Sequence, residues 1–149
     1  MTIRSALASD VPTILSLIRG LAEYERMADQ VVATEEDLRR TLFGAQPHAE
    51  VVLAEDERGV AGFALFFHNY STFRGKPGLY LEDLFVVPER RREGIGRALL
   101  LHLKGIAIER GCGRMEWSVL SWNEPAVGFY RTLGAEVMDD WRICRIDLP

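Results

Sequence analysis

The segment with the clearest chemical character is a basic turn over residues 88–97, with the sequence PERRREGIGR. Its four arginines and two glutamates give a net charge of +2 in a chain whose net charge is −4. Successive backbone N–H groups in such a turn can surround an anion, and the start of the helix that follows adds a partial positive charge. Glycine at positions 94 and 96 removes the side chains that would hold a phosphate off the backbone. The turn therefore predicts a pyrophosphate site.

The two best-known phosphate-binding motifs do not match this turn. The chain lacks the P-loop pattern of a glycine, four residues and Gly-Lys-Ser/Thr, which excludes that class of nucleoside triphosphatase. The dinucleotide fingerprint fails because Leu99 stands where its third glycine belongs, and because the turn lies in mid-chain. The local sequence leaves one alternative open, a solvated charge run on a tight turn that binds no ligand.

The elements that must position this turn are predicted from apolar spacing and from capping residues. Positions 14, 17, 18 and 21 are apolar and share one helical face, after Ser9 or Asp10 as cap and Pro12 in the first turn. Thr34 begins a capping box for a second helix. The other expected elements are a strand near Ile3, a hairpin with strands 51–54 and 60–67, a loop over 69–78, strands over 79–87 and 115–120, helices over 95–108 and 125–133, and final strands over 135–138 and 142–146. This order, β-α-α-β-β-β-α-β-α-β-β, predicts an α/β (α+β) fold with a mixed central sheet of about six to seven strands flanked by helices.

Composition limits the classes of protein to which the chain can belong. Of its 149 residues 48% are apolar and 27% charged, so we expect one domain over residues 1–149. No apolar run reaches the ~18–20 residues of a membrane helix, and the negative net charge disfavours a nucleic-acid partner. Two cysteines, Cys112 and Cys144, and the lack of a signal-peptide pattern favour the cytoplasm. The cysteines and histidines show no metal-ligand spacing, so no metal is expected.

Several segments carry a resemblance to a known family. The pattern Arg91-x-x-Gly94-x-Gly96 after an apolar strand resembles the acetyl-CoA pyrophosphate motif of the GNAT superfamily of N-acetyltransferases, and the element order resembles that fold. The segments at 62–64 (GFA), 80–86 (YLEDLFV) and 122–130 (WNEPAVGFY) resemble the diamine (spermidine/spermine) N-acetyltransferase branch. So do LAEYE at 21–25 and DWR at 140–142. The resemblance implies the GNAT fold and transfer of an acetyl group from acetyl-CoA to an amine by direct attack in a ternary complex.

The resemblance also implies which residues hold acetyl-CoA. The pyrophosphate would lie against the turn, the pantetheine arm would bond to the strand before it like an added strand, and the short helix near position 125 would contact the cofactor as well. The residues so assigned are Arg91, Arg92, Glu93, Gly94, Ile95, Gly96 and Arg97 in the turn, Leu84, Phe85 and Val86 in the strand, and Asn123 and Tyr130 at the short helix. For the arm to fit, the strands carrying residues 84–86 and 116–120 must splay apart.

Two residues are the implied catalysts. Glu82 would take the proton of the attacking amine, directly or through water, and Tyr130 would protonate the leaving thiolate. Strand alternation predicts that Asp83 faces away from Glu82. A backbone N–H at Phe85 or Val86 would stabilise the oxyanion. A surface carboxylate and a core tyrosine are the alternative interpretations of Glu82 and Tyr130.

The acceptor implied by the resemblance is a small cationic amine of the polyamine or diamine type. Tyr24 and Glu25 match the acceptor-binding positions of the branch, and Glu82 with Glu116 would complete an acidic mouth. The acidic excess of the first half of the chain agrees with a cationic acceptor. The alternatives are a lysine-like amino acid such as thialysine, a protein or peptide amine, and a non-catalytic regulator that binds acyl-CoA. The resemblance also implies a homodimer, and we expect neither nucleic acid nor a membrane as partner.

Overall fold

Five strands form a single sheet in the computed structural model, which describes all residues 1–149. The strands are β1 (Thr2–Ser5), β2 (Glu50–Asp56), β3 (Gly59–Ser71), β4 (Lys76–Val86) and β5 (Met115–Trp117). They lie side by side in chain order, antiparallel from β1 to β4, and β5 pairs with β4 in parallel. The helices are α1 (Val11–Tyr24), α2 (Glu35–Leu42), α3 (Ile95–Glu109) and α4 (Glu124–Thr132). This architecture confirms the predicted mixed α/β class.

The chain divides into two compact units, Met1–Trp117 and Ser118–Pro149. The first unit contains the whole sheet with α1, α2 and α3, and the second contains α4. The single domain expected over residues 1–149 stays a prediction. None of the helices combines the length and the apolar character that crossing a membrane requires.

Helices cover both faces of the sheet in the first unit. The predicted face of α1 is buried against Phe63 and Phe85, together with Leu38 of α2. Strand alternation directs Ala64 and Phe66 to the opposite face, where α3 packs on β2, β3 and β4. The sheet is thereby buried on both sides at β3 and β4, the two strands that lead to the glycine turn.

Local signals predicted the helix starts well. The capping box at Thr34 is present, because its hydroxyl oxygen accepts from the Asp37 N–H at 3.2 Å while the Asp37 carboxylate accepts from the Thr34 N–H at 2.9 Å. Helix α3 begins at Ile95, directly after its cap Gly94, so that Gly96 is its second residue, as expected from the glycine turn. Both starts depend on residues no more than three positions apart, so neighbouring sequence suffices to specify them.

Four predicted elements, three strands and one loop, differ in the structure. The sheet has five strands, not six or seven, because residues 135–138 and 142–146 pair with no strand. Ile143 and Ile146 are exposed there, so the alternating pattern alone did not produce a ladder. The predicted loop over 69–78 is instead the end of a long hairpin, in which only residues 72–75 turn and Gly75 takes the left-handed φ of +63°. The strand expected over 115–120 ends at Trp117.

Candidate active site

A β-bulge in β4 places Glu82 outside the regular strand pairing. Leu65 of β3 lies opposite Asp83 and Phe66 lies opposite Leu81, so Glu82 is the additional residue of the bulge. A bulge interrupts the alternation of side chains between the two faces of a sheet. The prediction that Asp83 faces away from Glu82 was therefore wrong, and the two adjacent carboxylates interact electrostatically.

Glu25, Glu82 and Asp83 form an acidic cluster, in which Glu25 is the cap residue that follows α1. Burial raises the pKa of Asp83 to about 6, and the negative charges of Glu82 and Glu25 add to that effect. Burial, followed by the charge of Glu82, also raises the pKa of Glu25. No arginine or lysine lies within ion-pair distance of the three carboxylates. A cationic ligand would relieve this repulsion, so the cluster suits an ammonium group.

Arg91 connects the end of α1 with the end of β4. Its guanidinium carbon lies 4.9 Å from the centre of the Tyr24 ring and 5.6 Å from that of Phe85. Its Nε also donates to the Val86 carbonyl oxygen at 3.2 Å. These contacts place the first arginine of the glycine motif next to Tyr24, one residue before Glu25, so the predicted donor and acceptor residues adjoin one another.

The glycine turn has the backbone shape expected of an anion site. Gly94 caps α3 with φ +80°, and Arg92 also has a left-handed φ, +68°. The first N–H groups of α3, at Ile95, Gly96 and Arg97, have no acceptor four residues back within the helix, as at every helix start. The side chains of Arg92 and Arg97 are exposed and form no ion pair. Backbone donors and free guanidinium groups are therefore available at the same turn.

Two other charges of the turn are already neutralised. Arg90 is buried and pairs with Asp56 and Glu93, and Glu93 also accepts from Arg58 at 2.8 Å. The positive charge inferred from the sequence thus comes from residues other than Arg90. Because the carboxylate of Glu93 is bound by Arg58 and Arg90, only the backbone of Glu93 is left for the predicted contact with the cofactor.

The end of β4 offers an open edge for an extended ligand. Strand β5 pairs only with residues 79–81 of β4, so Leu84, Phe85 and Val86 have no strand neighbour on that side. The predicted splaying apart of the strands that carry residues 84–86 and 116–120 stays a prediction, because β5 ends at Trp117. Gly62 allows close approach on the other side, because a Cβ there would lie 2.7 Å from the Phe85 carbonyl oxygen.

The structure does not bring Glu116 into the acidic cluster. Glu116 lies opposite Tyr80 in the β4–β5 pair. Its carboxylate forms an ion pair with Arg114 Nε at 3.2 Å and accepts a hydrogen bond from the Asn69 amide at 3.4 Å. The role of Glu116 in binding an acceptor stays a prediction. Unlike the carboxylates of the acidic cluster, Glu116 already has a cationic partner.

The remaining predicted residues belong to the second unit. The Asn123 side chain caps α4 by accepting from the Ala126 N–H at 3.4 Å, and Asn123 is buried. Tyr130 lies in the last part of α4, partly buried, with its ring centre 5.6 Å from that of Phe129. Their contacts with a cofactor stay predictions.

Asp83 is the residue that sequence reasoning assigned wrongly. The Leu-Glu-Asp segment marked the right strand, but only strand pairing reveals the bulge that brings Asp83 to the side of Glu82.

A family comparison decides the class of protein. The model of the "Acetyltransferase (GNAT) family" matches residues 17–135, which include the acidic cluster, the glycine turn and α4. The chain belongs to the GNAT family of acetyltransferases. The predicted family and the prediction of an enzyme are confirmed, and GNAT acetyltransferases use acetyl-CoA.

The names of three relatives of this acetyltransferase refer to small amines. It is 38% identical to a bovine thialysine N-epsilon-acetyltransferase over 97% of this chain and 91% of that protein. It is 34% identical to the L-ornithine N5-acetyltransferase NATA1 of Arabidopsis thaliana, over 97% of this chain and 83% of that protein. A human spermidine/spermine N(1)-acetyltransferase-like protein 1 is 38% identical over 89% of this chain but only 20% of its own length.

A solved structure agrees with the fold of this acetyltransferase. An integron cassette protein from V. cholerae superposes with a TM-score of 0.81 at 27% identity, covering 98% of this chain and 91% of the other. The predicted GNAT fold is confirmed, with the strand count corrected as above.

Proposed function

We propose that this acetyltransferase transfers the acetyl group of acetyl-CoA to a primary amine of a small cationic acceptor, of the polyamine or diamine type, by direct attack in a ternary complex. The cluster of Glu25, Glu82 and Asp83 is the observation that carries the proposal. Crowded carboxylates without a cationic partner favour a ligand that brings positive charge. A lysine-like diamino acid is the second candidate, supported by the names of the bovine and Arabidopsis relatives.

The donor is proposed to lie along the end of β4 and the start of α3. The backbone of the turn and the free guanidinium groups of Arg92 and Arg97 suit two phosphate groups. The open edge at Leu84, Phe85 and Val86 suits the amide groups of a pantetheine arm, which can bond to it as an added strand would. Asn123 is proposed to bond to the same arm.

The chemical step requires a neutral amine. By analogy with lysine, the pKa of a free alkyl ammonium is near 10.4, so a base must accept a proton before or during attack. We assign this role to Glu82, directly or through water. The nitrogen lone pair forms a bond to the thioester carbonyl carbon, and a backbone N–H at Phe85 or Val86 stabilises the oxyanion. The carbon–sulfur bond then breaks, and its electron pair leaves with the CoA sulfur.

Tyr130 is proposed to protonate that sulfur. A phenol with a pKa of about 10 can donate to a thiolate whose thiol has a pKa near 8.5, although the transfer is uphill at equilibrium. The ammonium group gives up two protons, one through Glu82 to solvent and one as the amide forms, and the thiolate takes up one. One turnover therefore gives an N-acetylated amine, free CoA and one proton released to solvent.

The charge of the cluster predicts which acceptors react well. One carboxylate suffices as base, so the other two are available for a second ammonium group on the acceptor. Polyamines and diamino acids both carry one. Tyr24, next to Glu25 and already against Arg91, lies at the same end of α1 and is proposed to contact the acceptor.

A matched pair of acceptors tests the proposal. We expect kcat/KM with 1,5-diaminopentane to exceed that with 1-aminopentane by at least about tenfold, which corresponds to about 1.4 kcal/mol for the second charge. Equal values for the two amines would contradict the role of the cluster. Thiol release with spermidine, spermine, thialysine, ornithine, lysine and a lysine peptide then ranks the acceptor classes, and preference for the peptide would favour a protein amine instead.

The assembly of the protein is also open to a direct test. We propose a homodimer, an expectation that comes from the family resemblance alone. Light scattering after size-exclusion chromatography at several protein concentrations distinguishes a dimer from a monomer.

A further inference from the structure

Four charged side chains connect the β2–β3 turn with the glycine turn. Arg90 Nη2 donates to Asp56 at 2.5 Å and Arg90 Nε donates to Glu93 at 2.9 Å. Arg58 adds a bond to Glu93 at 2.8 Å, and its backbone N–H donates to Asp56 at 2.9 Å. We call these residues, Asp56, Arg58, Arg90 and Glu93, the turn-anchoring network. It joins positions more than 30 residues apart in the chain.

The central pair of the network is shielded from water. The side chains of Arg90 and Asp56 are only 9% and 10% exposed. The guanidinium of Arg90, the strongest influence, lowers the pKa of Asp56 to about 2, and the two carboxylates raise the pKa of Arg90. A buried charge that loses its partner cannot recover the lost interaction from solvent, so the pair resists separation.

The network holds the backbone of the glycine turn at two points. Arg90 and Glu93 flank Arg91 and Arg92, and Arg92 has the unfavourable φ of +68°. A non-glycine residue keeps this conformation only where its surroundings impose it. The bonds to Asp56 and Arg58 supply such a constraint at each side of the strained residue.

We propose that the turn-anchoring network positions the backbone of residues 91–94 for the pyrophosphate of acetyl-CoA, so that the β2–β3 turn determines donor affinity. The inference rests on the proposed placement of the donor. Asp56, Arg58 and Arg90 are positioning residues, because they act through the turn, and the carboxylate of Glu93 acts in the same way. The network also keeps the negative charge of Glu93 paired with arginines while the phosphates bind.

Simple electrostatics predicts the opposite result from this proposal. Coenzyme A is a polyanion, so removing a negative charge from its neighbourhood should strengthen its binding if charge alone matters. If Asp56 and Glu93 shape the turn, their neutral isosteres should weaken binding although they make the protein less negative. The sign of the effect therefore separates positioning from plain charge.

The test uses the full chain with Asp56→Asn and Glu93→Gln, and Glu50→Gln as the matched control. Glu50 lies on the same strand as Asp56 and also holds an arginine through two bonds, to Arg110 at 2.7 and 2.9 Å. It has no part in the glycine turn, and its substitution changes the net charge by the same amount. Isothermal titration calorimetry gives the Kd of CoA, and denaturant unfolding shows that each variant is folded. Glu93→Gln, with a more exposed side chain, provides the comparison if Asp56→Asn does not fold.

A truncated donor supplies the second measurement. Acetyl-pantetheine carries the thioester and the arm but no pyrophosphate, so its kcat/KM should not depend on the turn. We expect a Kd of CoA about tenfold higher in Asp56→Asn and Glu93→Gln, with kcat/KM for acetyl-pantetheine within about twofold of wild type. Glu50→Gln should match wild type in both measurements.

Two results would overturn the proposal. Unchanged or tighter CoA binding in both network variants would mean that the network does not position the turn. Equal losses with acetyl-CoA and acetyl-pantetheine would mean that its effect is a general one on stability. The Kd of CoA requires no acceptor, so the comparison holds even if none of the amines is acetylated, a result that would contradict only the proposed acceptor.

Discussion

Replacing Asp83 with asparagine should make the protein more stable at neutral pH. Asp83 is largely buried beside two other carboxylates, which raises its pKa from 3.8 to about 6. At about 1.4 kcal/mol per pKa unit, a difference of about two units corresponds to about 3 kcal/mol of unfavourable ionisation in the folded state. Asparagine has nearly the same shape and no charge, so the variant avoids this cost.

The sign of the effect depends on pH. Below about pH 4 the Asp83 carboxyl is protonated in the folded and the unfolded chain, and ionisation makes no difference to stability. Between about pH 4 and pH 6 the unfolded chain releases the proton first, so the free energy of unfolding of the wild type falls as the pH rises. Above about pH 6 the full cost is present. The advantage of Asp83→Asn should therefore grow from near zero at pH 4 to at most about 3 kcal/mol at pH 8.

Urea unfolding at pH 4, 5, 6, 7 and 8 measures this difference. Asp10→Asn is a control of opposite sign, because hydrogen bonds from Arg4 at 2.8 and 3.0 Å lower the pKa of the Asp10 carboxyl. That variant should be less stable than wild type at pH 7, and the loss should disappear as the pH falls through the lowered pKa. If Asp83→Asn is no more stable than wild type at pH 8, or differs equally at pH 4 and pH 8, the electrostatic account of the cluster is wrong. For Asp83→Asn we also expect a higher KM for a diamine, because the carboxylate that destabilises the folded protein is also one that would bind an ammonium group.

Three further variants test the site. Tyr130→Phe should lower turnover at least about tenfold with little change in the Kd of acetyl-CoA, because only proton donation is lost; near-wild-type turnover would reject the assignment. Arg92→Gly should raise the free energy of unfolding by about 1 kcal/mol by relieving the φ of +68°, and should raise the KM for acetyl-CoA by removing a cation; lower stability would argue against strain. Gly62→Ala should lower stability by about 1–3 kcal/mol, measured by urea unfolding, because its Cβ would lie 2.7 Å from the Phe85 carbonyl oxygen; an unchanged midpoint would show that β4 can move away.

The sequence was most informative where neighbouring residues decide the structure. The face of α1, the cap at Thr34 and the start of α3 at Ile95 follow from residues within one or two helical turns. The glycine motif was recognisable for the same reason, since its glycines and arginines are adjacent in the chain. These local rules sufficed for the fold class and, with the resemblance, for the acetyltransferase family.

Contacts between distant segments were beyond such rules. The two terminal strands predicted over 135–138 and 142–146 are absent, because a strand forms only where another strand accepts its hydrogen bonds. The bulge at Glu82 arises from the pairing of β4 with β3, and it alone brings Asp83 to the same cluster. Arg90, counted in the sequence among the cations of the turn, pairs with Asp56, 34 positions away. The amino-acid sequence thus specifies which charged residues the protein carries, whereas ion pairs between distant segments decide which of these charges remain available to bind a ligand.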